Sequence, residues 1–303
     1  MKIYVNDQDY QTYLKDHLKS VTIVSLKSEA DYLISGTFKE EDYHPDLKGV
    51  IIPYTGHDRI DIEAMKKHNL RLFNTTVHSK FVAEKAITLM FTLLGNMIPY
   101  HNQLKKGAWH HRNTKERTPW VSVFDLTIGI YGYGRIGQYI HEMLKPFNVN
   151  VVIINRNKSY PKACRLVNSL EELVDASDIV FIASPLNQAT EGAFHSGILN
   201  HMQEKYLINV GRGKIVQEAA LYEALSLGNI KGFASDVWWV YPKKEETVLP
   251  SNYPIHSFDN VVMSPHCGGF TTTSRKTMMK DVKETIEAIM NEDYRLALDL
   301  DTL

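Results

Sequence analysis

Two α/β units, each a doubly wound parallel sheet, are what this sequence predicts, and three observations predict it. Short β-prone runs alternate with helix-compatible or turn-rich stretches through most of the 303 residues, the pattern of a parallel sheet wrapped by helices. A glycine turn, Gly132-Tyr133-Gly134-Arg135-Ile136-Gly137, joins an apolar run to a helical one, the setting in which G-x-G-x-x-G means dinucleotide binding. A final helix with Met278, Val282, Ile286 and Ile289 on one face is placed to return to the first unit and make it discontinuous.

In the first unit the expected strands are Ile3 to Val5, Val21 to Ser25, Tyr32 to Ser35, Gly49 to Pro53 and Leu70 to Phe73. A helix follows from about Phe81, with Val82, Ala86, Leu89, Met90, Leu93 and Met97 at helical spacing, and Pro99 is expected to close it. Residues 101–124 are polar, basic and aromatic without clear period. His101, His110 and His111 among lysines and arginines there could suggest a phosphate patch. A solvated connector whose tryptophans pack on a neighbour is the better expectation.

The second unit starts with a strand from Thr127 to Tyr131, the glycine turn, and a helix from Ile136 to about Leu144. Gly132 permits the tight turn, Gly134 lets backbone approach a pyrophosphate, and Gly137 lets the helix pack on its strand. The helix N-terminus offers free N–H groups and the positive end of its dipole to the phosphates. Further strands are expected at Val149 to Ile154, Ile179 to Ala183, Tyr206 to Val210, Phe233 to Val237 and Val261 to Ser264. Ser169 opens a short helix as a capping-box serine, and Val216 to Leu227 reads as a helix ending at Gly228.

The end of the second strand speaks to cofactor choice. An NAD site places an acid there to bond the ribose hydroxyls. Here Ile154 is followed by Asn155-Arg156-Asn157-Lys158, with neither Asp nor Glu. A 2′-phosphate would meet neutral and cationic groups and no repulsion, so NADP is expected over NAD.

Composition narrows the classes. Hydrophobic residues make up 44% and charged residues 23%, with a formal net charge of −1. Such a chain has no global field for nucleic acid or an anionic membrane. Two cysteines without metal-ligand spacing predict neither a disulfide framework nor a metal site. The N-terminal MKIYVNDQDYQ lacks the pattern of a signal peptide, and the apolar helix carries Glu84 and Lys85. A cytoplasmic home and no membrane partner are expected.

Four ordered segments carry a family resemblance: GYGRIG, Asn209-Val210-Gly211-Arg212-Gly213, Gly232-Phe-Ala-Ser-Asp236-Val, and Ser264-Pro265-His266-Cys-Gly-Gly. With Tyr54-Thr55-Gly56-His-Asp58, Val82-Ala-Glu84 and the run from Asp178 to Pro185, the chain resembles the D-isomer-specific 2-hydroxyacid dehydrogenases along nearly its whole length. The resemblance implies a Rossmann nucleotide-binding domain, placed at 99–269, inserted in a flavodoxin-like catalytic domain made of 1–98 and 270–303. It also implies an active site in the cleft between them and a homodimer formed mainly through the nucleotide domains.

Residue by residue, the resemblance makes Arg212 the group that holds the substrate carboxylate and polarises its carbonyl, as a guanidinium fork suits. His266 becomes the acid–base that serves the carbonyl oxygen. Tyr54, Thr55 and Gly56 would bind the substrate carboxylate through main-chain amides. Gly132, Tyr133, Gly134, Arg135, Ile136, Asn155, Arg156, Ser184, Pro185, Val210, Gly211, Asp236 and His266 would contact the cofactor, Asp236 near the nicotinamide.

One position departs from the pattern. The glutamate that partners the catalytic histidine should stand five residues after Asp236, where this chain has Tyr241. A tyrosine orients an imidazole by hydrogen bond but adds no charge to raise its pKa. The expected function is an NAD(P)-dependent oxidoreductase acting on a small 2-oxo or D-2-hydroxy acid. A nucleotide-binding regulator of the same fold, or a dehydrogenase of another small anion such as formate, stands as the alternative.

Overall fold

The computed structural model describes residues 1–109, 119–154, 160–243 and 246–302. Asn155 and Arg156, and His110 and His111 of the connector, lie outside the described residues. The chain forms two compact units, one of residues 1–81 with 269–303 and one of residues 82–268. The first crossing thus falls at 81/82 and not at 98. The helix Ser79–Leu94 explains the shift, because it buries Ala83, Ala86, Leu89, Met90, Leu93 and Leu94 in the core of the second unit.

The first unit is a five-stranded parallel sheet in the order β2-β1-β3-β4-β5. Its strands are β1 (Lys2–Val5), β2 (Thr22–Val24), β3 (Tyr32–Ile34), β4 (Gly49–Ile52) and β5 (Arg71–Asn74). This is the flavodoxin-like order. The central strands β3 and β4 are apolar and buried throughout, as strands covered on both faces must be. Alternate residues feed two cores: Ile3, Val5, Ile34 and Ile51 on one side, Leu33, Val50, Ile52 and Leu72 on the other.

The return helix, Ser274–Met290, places Val282, Ile286 and Ile289 in the first of these cores. Arg275 near its start reaches Asp7 and Asp9, both at 2.7 Å. Asp7 also caps the helix Gln8–His17 by accepting from the amides of Asp9 and Tyr10. Termini distant in sequence are joined here by both packing and charge.

The second unit is a seven-stranded, all-parallel sheet in the order β12-β11-β10-β9-β6-β7-β8. Its strands are β6 (Thr127–Tyr131), β7 (Asn150–Ile154), β8 (Cys164–Val167), β9 (Ile179–Ile182), β10 (Tyr206–Asn209), β11 (Gly232–Ser235) and β12 (Val261–Met263). Counting from β6, this is the doubly wound nucleotide-binding order extended by one strand, and the order reverses between β6 and β9. Val152, Val180, Ile182 and Leu207 pack into one core and Ile153, Ile179, Phe181 and Ile208 into the other. Every strand runs the same way, so every loop leaving a C-terminal end emerges on one edge.

Three details correct the sequence reading. The helix from Ser79 ends at Leu94, and a second helix, Met97–Lys105, starts after Asn96 at φ 49. Pro99 therefore lies in the first turn of a new helix, where its missing N–H is not needed, and does not close the old one. Strand β8 forms where none was expected. Trp109 and Trp120, expected to pack on a neighbour, are 63% and 62% exposed in the protomer.

Among the described residues no single helix is long and apolar enough to cross a membrane. The pair Ser79–Leu94 and Met97–Lys105 would pass only together, and it bends by 56°.

Candidate active site

The site of the second unit is assembled from loops at the C-terminal ends of β6, β9, β10, β11 and β12. At β6 the chain turns through Gly132, whose φ is 101. A Cβ there would stand 2.5 Å from the Ser184 amide nitrogen, so only glycine lets the β6 and β9 loops touch. Gly134 has nothing within 4 Å of where its Cβ would be. It also stands immediately before the helix Arg135–Leu144. Open space beside bare backbone, at the start of a ten-residue helix, is what a pyrophosphate requires. The pocket over this turn is lined by Gly132, Tyr133, Gly134, Ile154, Tyr160 and Ser184, with Asn187 and Thr190 on its far side.

Sequence reasoning did not single out Asn187 and Thr190. The Thr190 hydroxyl donates to the Pro185 carbonyl at 2.7 Å and accepts from the Asn187 amide at 2.8 Å, which folds the loop after β9. Ser184 and Pro185 are held at its start.

After β10, Asn209 is fully buried and its side chain builds the next loop. Its Oδ1 accepts from the Gly211 amide and its Nδ2 donates to the Arg212 carbonyl, both at 3.0 Å. Val210 is buried and Arg212 half-buried, with its Nη1 donating to the Gly211 carbonyl at 2.8 Å. An asparagine closing an apolar strand is the signal that could have marked Asn209.

After β11, Asp236 is 3% exposed and its carboxylate is a junction. Oδ1 accepts from Ser264 Oγ at 2.6 Å and from the Cys267 amide at 3.0 Å, and Oδ2 accepts from the Gly268 amide at 2.7 Å. The buried charge is thus met by three donors. It grips the residues on both sides of His266, whose own φ is 55. Asp236, expected beside the nicotinamide, here anchors the loop that carries the histidine.

His266 is exposed at the sheet edge, and its Nδ1 lies 2.9 Å from Tyr241 Oη. The Trp238 amide donates to the same oxygen at 3.0 Å, while Trp238 Nε1 donates to the Ser264 carbonyl at 2.8 Å. Tyr241 thus stands beside the imidazole, five residues after Asp236, where the resemblance implies a glutamate. Arg212, Asp236 and His266 leave three adjacent strands of one edge.

Tyr54, Thr55 and Gly56 belong to the first unit, just past β4. The Thr55 carbonyl accepts from Asn74 Nδ2 at 2.8 Å, which ties this loop to the end of β5. Among the described residues, no group of three or more His, Cys, Asp or Glu side chains could hold a metal ion.

Comparison with known proteins agrees with this geometry. Residues 87–268 match the family model of the D-isomer specific 2-hydroxyacid dehydrogenase NAD binding domain. A glyoxylate reductase/hydroxypyruvate reductase of Homo sapiens is 31% identical over 242 residues, covering 77% of this chain and 71% of that protein. A formate dehydrogenase of Neurospora crassa is 29% identical over 265 residues, covering 82% and 69%. The chain spans 61% to 70% of the length of these formate dehydrogenase relatives. Among solved structures, the NAD-dependent formate dehydrogenase of Staphylococcus aureus, in complex with NAD, superposes with a TM-score of 0.75 at 28% identity, over 97% of this chain and 96% of that one.

Proposed function

Since this chain belongs to the D-isomer specific 2-hydroxyacid dehydrogenase family, we propose that it moves a hydride between a nicotinamide dinucleotide and a small 2-oxo or D-2-hydroxy acid. The observation that carries this reading is the edge on which Arg212, Asp236 and His266 leave consecutive strands beside a glycine turn. The bound dinucleotide supplies or accepts the hydride. Arg212 pairs with the substrate carboxylate and draws electron density from the carbonyl. His266 gives a proton to the carbonyl oxygen in reduction and takes it back in oxidation. Asp236 keeps the histidine loop in place, and Tyr241 orients the imidazole without adding charge. Tyr54, Thr55 and Gly56 supply main-chain amides to the substrate.

NADP is the proposed partner, because the four residues after Ile154 bring two cations, Arg156 and Lys158, and no acid to the ribose end. A homodimer is part of the same reading. Phe91, Met97, Ile98, Leu104, Trp120 and Phe124 all stand exposed on the second unit. Phe91 and Phe124 pack on Phe147 with centroids 5.4 and 5.2 Å apart. An apolar surface of this kind suits a second copy of the chain. A cytoplasmic setting fits two free thiols.

Tyr241 favours a second reading. Formate oxidation releases a hydride and carbon dioxide and moves no proton at the substrate, so it tolerates a tyrosine at the position where the resemblance implies a glutamate. A regulator that binds the nucleotide and turns over little is compatible with the same substitution. The deciding experiment is nucleotide turnover by purified protein: NADPH and NADH with glyoxylate, pyruvate and larger 2-oxo acids, and NADP and NAD with formate. Turnover of a 2-oxo acid supports the first reading, turnover of formate alone replaces it, and binding without turnover leaves the regulator.

A further inference from the structure

Behind the glycine turn, three side chains that hydride transfer does not use meet in one cluster. Tyr133 Oη lies 2.6 Å from His141 Nδ1, and Cys164 Sγ lies 3.6 Å from that oxygen and 3.5 Å from that nitrogen. They come from separate places: the glycine turn, the second turn of the helix after it, and the first residue of the edge strand β8. His141 and Cys164 are 5% and 8% exposed. A buried imidazole is an uncommon neighbour for an apolar core, and here it shares its place with a buried thiol.

The chemistry sets the direction of the bonds. Burial holds the His141 pKa below its usual value, with Lys145 acting the same way and Glu142 against it. The ring is therefore neutral at neutral pH with a single N–H, and the tautomer with that proton on Nε2 leaves Nδ1 to accept. Burial pushes the Tyr133 phenol up, and the bond with Cys164 adds to this, so the phenol keeps its proton and donates. The thiol, raised by its own burial, stays protonated and donates to the phenol oxygen. Thiol, phenol and imidazole form one ordered relay.

The ring of Tyr133 also lines the dinucleotide pocket, with Ile154 and Tyr160. Its centroid lies 6.1 Å from that of Tyr160, edge to face. With the pyrophosphate at Gly132 and Gly134, the end of β7 is where the adenosine half goes.

We propose that the Cys164–Tyr133–His141 cluster is a latch that holds the Tyr133 ring against the helix and out of the dinucleotide's path. Tyr133 is thereby a positioning residue for the adenosine half. A tyrosine set between two glycines gets little restraint from its own backbone, since no Cβ on either side limits it. Once unlatched, its ring is free to rotate into the groove, and binding must then displace and order it. The latch acts on the ring beside both cofactors, so NADPH and NADH should suffer alike. The effect falls on cofactor affinity and not on the chemical step.

The proposal rests on the dinucleotide reading of this pocket, and its test separates the two. Kd values for NADPH and NADH are measured by fluorescence titration for the wild type, Tyr133→Phe, His141→Leu, His141→Gln and the double variant Tyr133→Phe/His141→Leu. Tyr133→Phe and His141→Leu should each weaken both cofactors by roughly five- to tenfold, the effect of one buried hydrogen bond. The double variant should be no weaker than the worse single, because both remove the same bond. His141→Gln, which keeps an acceptor, should stay within about twofold of the wild type. Should His141→Leu fail to fold, Tyr133→Phe decides, since it deletes one oxygen and keeps the ring. Unchanged Kd values in Tyr133→Phe, or additive losses in the double variant, overturn the latch. A wild type that binds neither nucleotide overturns the pocket assignment and the latch together.

Discussion

The Tyr241 hydroxyl oxygen lies 2.9 Å from His266 Nδ1 and accepts the Trp238 amide at 3.0 Å. The oxygen is fixed by backbone on one side and faces the imidazole on the other. It is a neutral partner where a charged one would raise the imidazole pKa.

Replacing that oxygen by a carboxylate should move the pH profile. Reduction needs His266 charged and fails as pH rises through its pKa, whereas oxidation needs it neutral and fails as pH falls. Tyr241→Glu favours the charged form, so both limbs should move up by about one unit. The measurement is kcat/KM against pH in both directions, since that ratio reports the free enzyme. Limbs that stay in place in a folded, active variant would disprove the electrostatic role of this position.

The two matched substrate groups should separate kinetically. Arg212→Lys should raise KM for the oxo acid and also lower kcat, because an ammonium cannot reproduce the planar fork. His266→Ala should cost roughly 10²-fold or more in kcat while cofactor Kd stays near wild type. Near-normal rates in both variants would place the chemistry elsewhere.

Arg156 offers the cofactor test. If it meets a 2′-phosphate, the wild type prefers NADPH, and Arg156→Asp reverses the order by repelling the phosphate and offering the ribose an acceptor. Equal affinities in both proteins would remove the preference.

Asp236 should act on kcat through the histidine loop. In Asp236→Asn one oxygen still accepts, but an amide NH2 now faces one of the N–H donors at Cys267 and Gly268. A buried donor without an acceptor costs about 1–3 kcal/mol. The loop should loosen, with kcat falling by at least about tenfold and the urea midpoint falling as well. A variant with unchanged midpoint and rate would mean that the loop needs no such anchor.

Acid should destabilise the fold before its carboxylates titrate. Burial lowers the pKa of both His141 and His78, the latter against the attraction of Asp281. The unfolded chain then binds more protons, so stability is complete above the unfolded histidine value near 6.5 and is lost as pH falls below it. The urea midpoint should decline from about pH 7 to pH 5, and His141→Gln should flatten that decline. A flat wild-type profile over this range would contradict the assignment.

Much of this arrangement could be read in the residues because local rules govern it. The glycine turn sits between β6 and its helix as its spacing requires, and Arg212 and His266 each follow a strand end. Strand β8 escaped notice because Cys-Arg-Leu-Val is only four residues long, with its two middle side chains facing outward at the sheet edge. The break at Asn96 is hidden in the sequence because Val82 to Met97 keeps an apolar helical period across it, and Pro99 offers itself as the stop. Asn209, Ser264, Thr190 and the Tyr133–His141 pair owe their roles to partners, which lie on another element for Ser264 and Tyr133 and a few residues away in the same loop for Asn209 and Thr190. Polar groups of that kind carry no periodicity, and only Asn209, closing an apolar strand, leaves a mark in the one-dimensional pattern.

The left-handed backbone of His266 has an evolutionary consequence. For a residue with a Cβ this conformation costs on the order of 1 kcal/mol, and replacement by glycine would relieve it. The protein should thus be sturdier without the side chain its chemistry requires. A lineage freed from the need to turn over substrate would gain stability by losing this imidazole, so the histidine persists against a standing thermodynamic gradient.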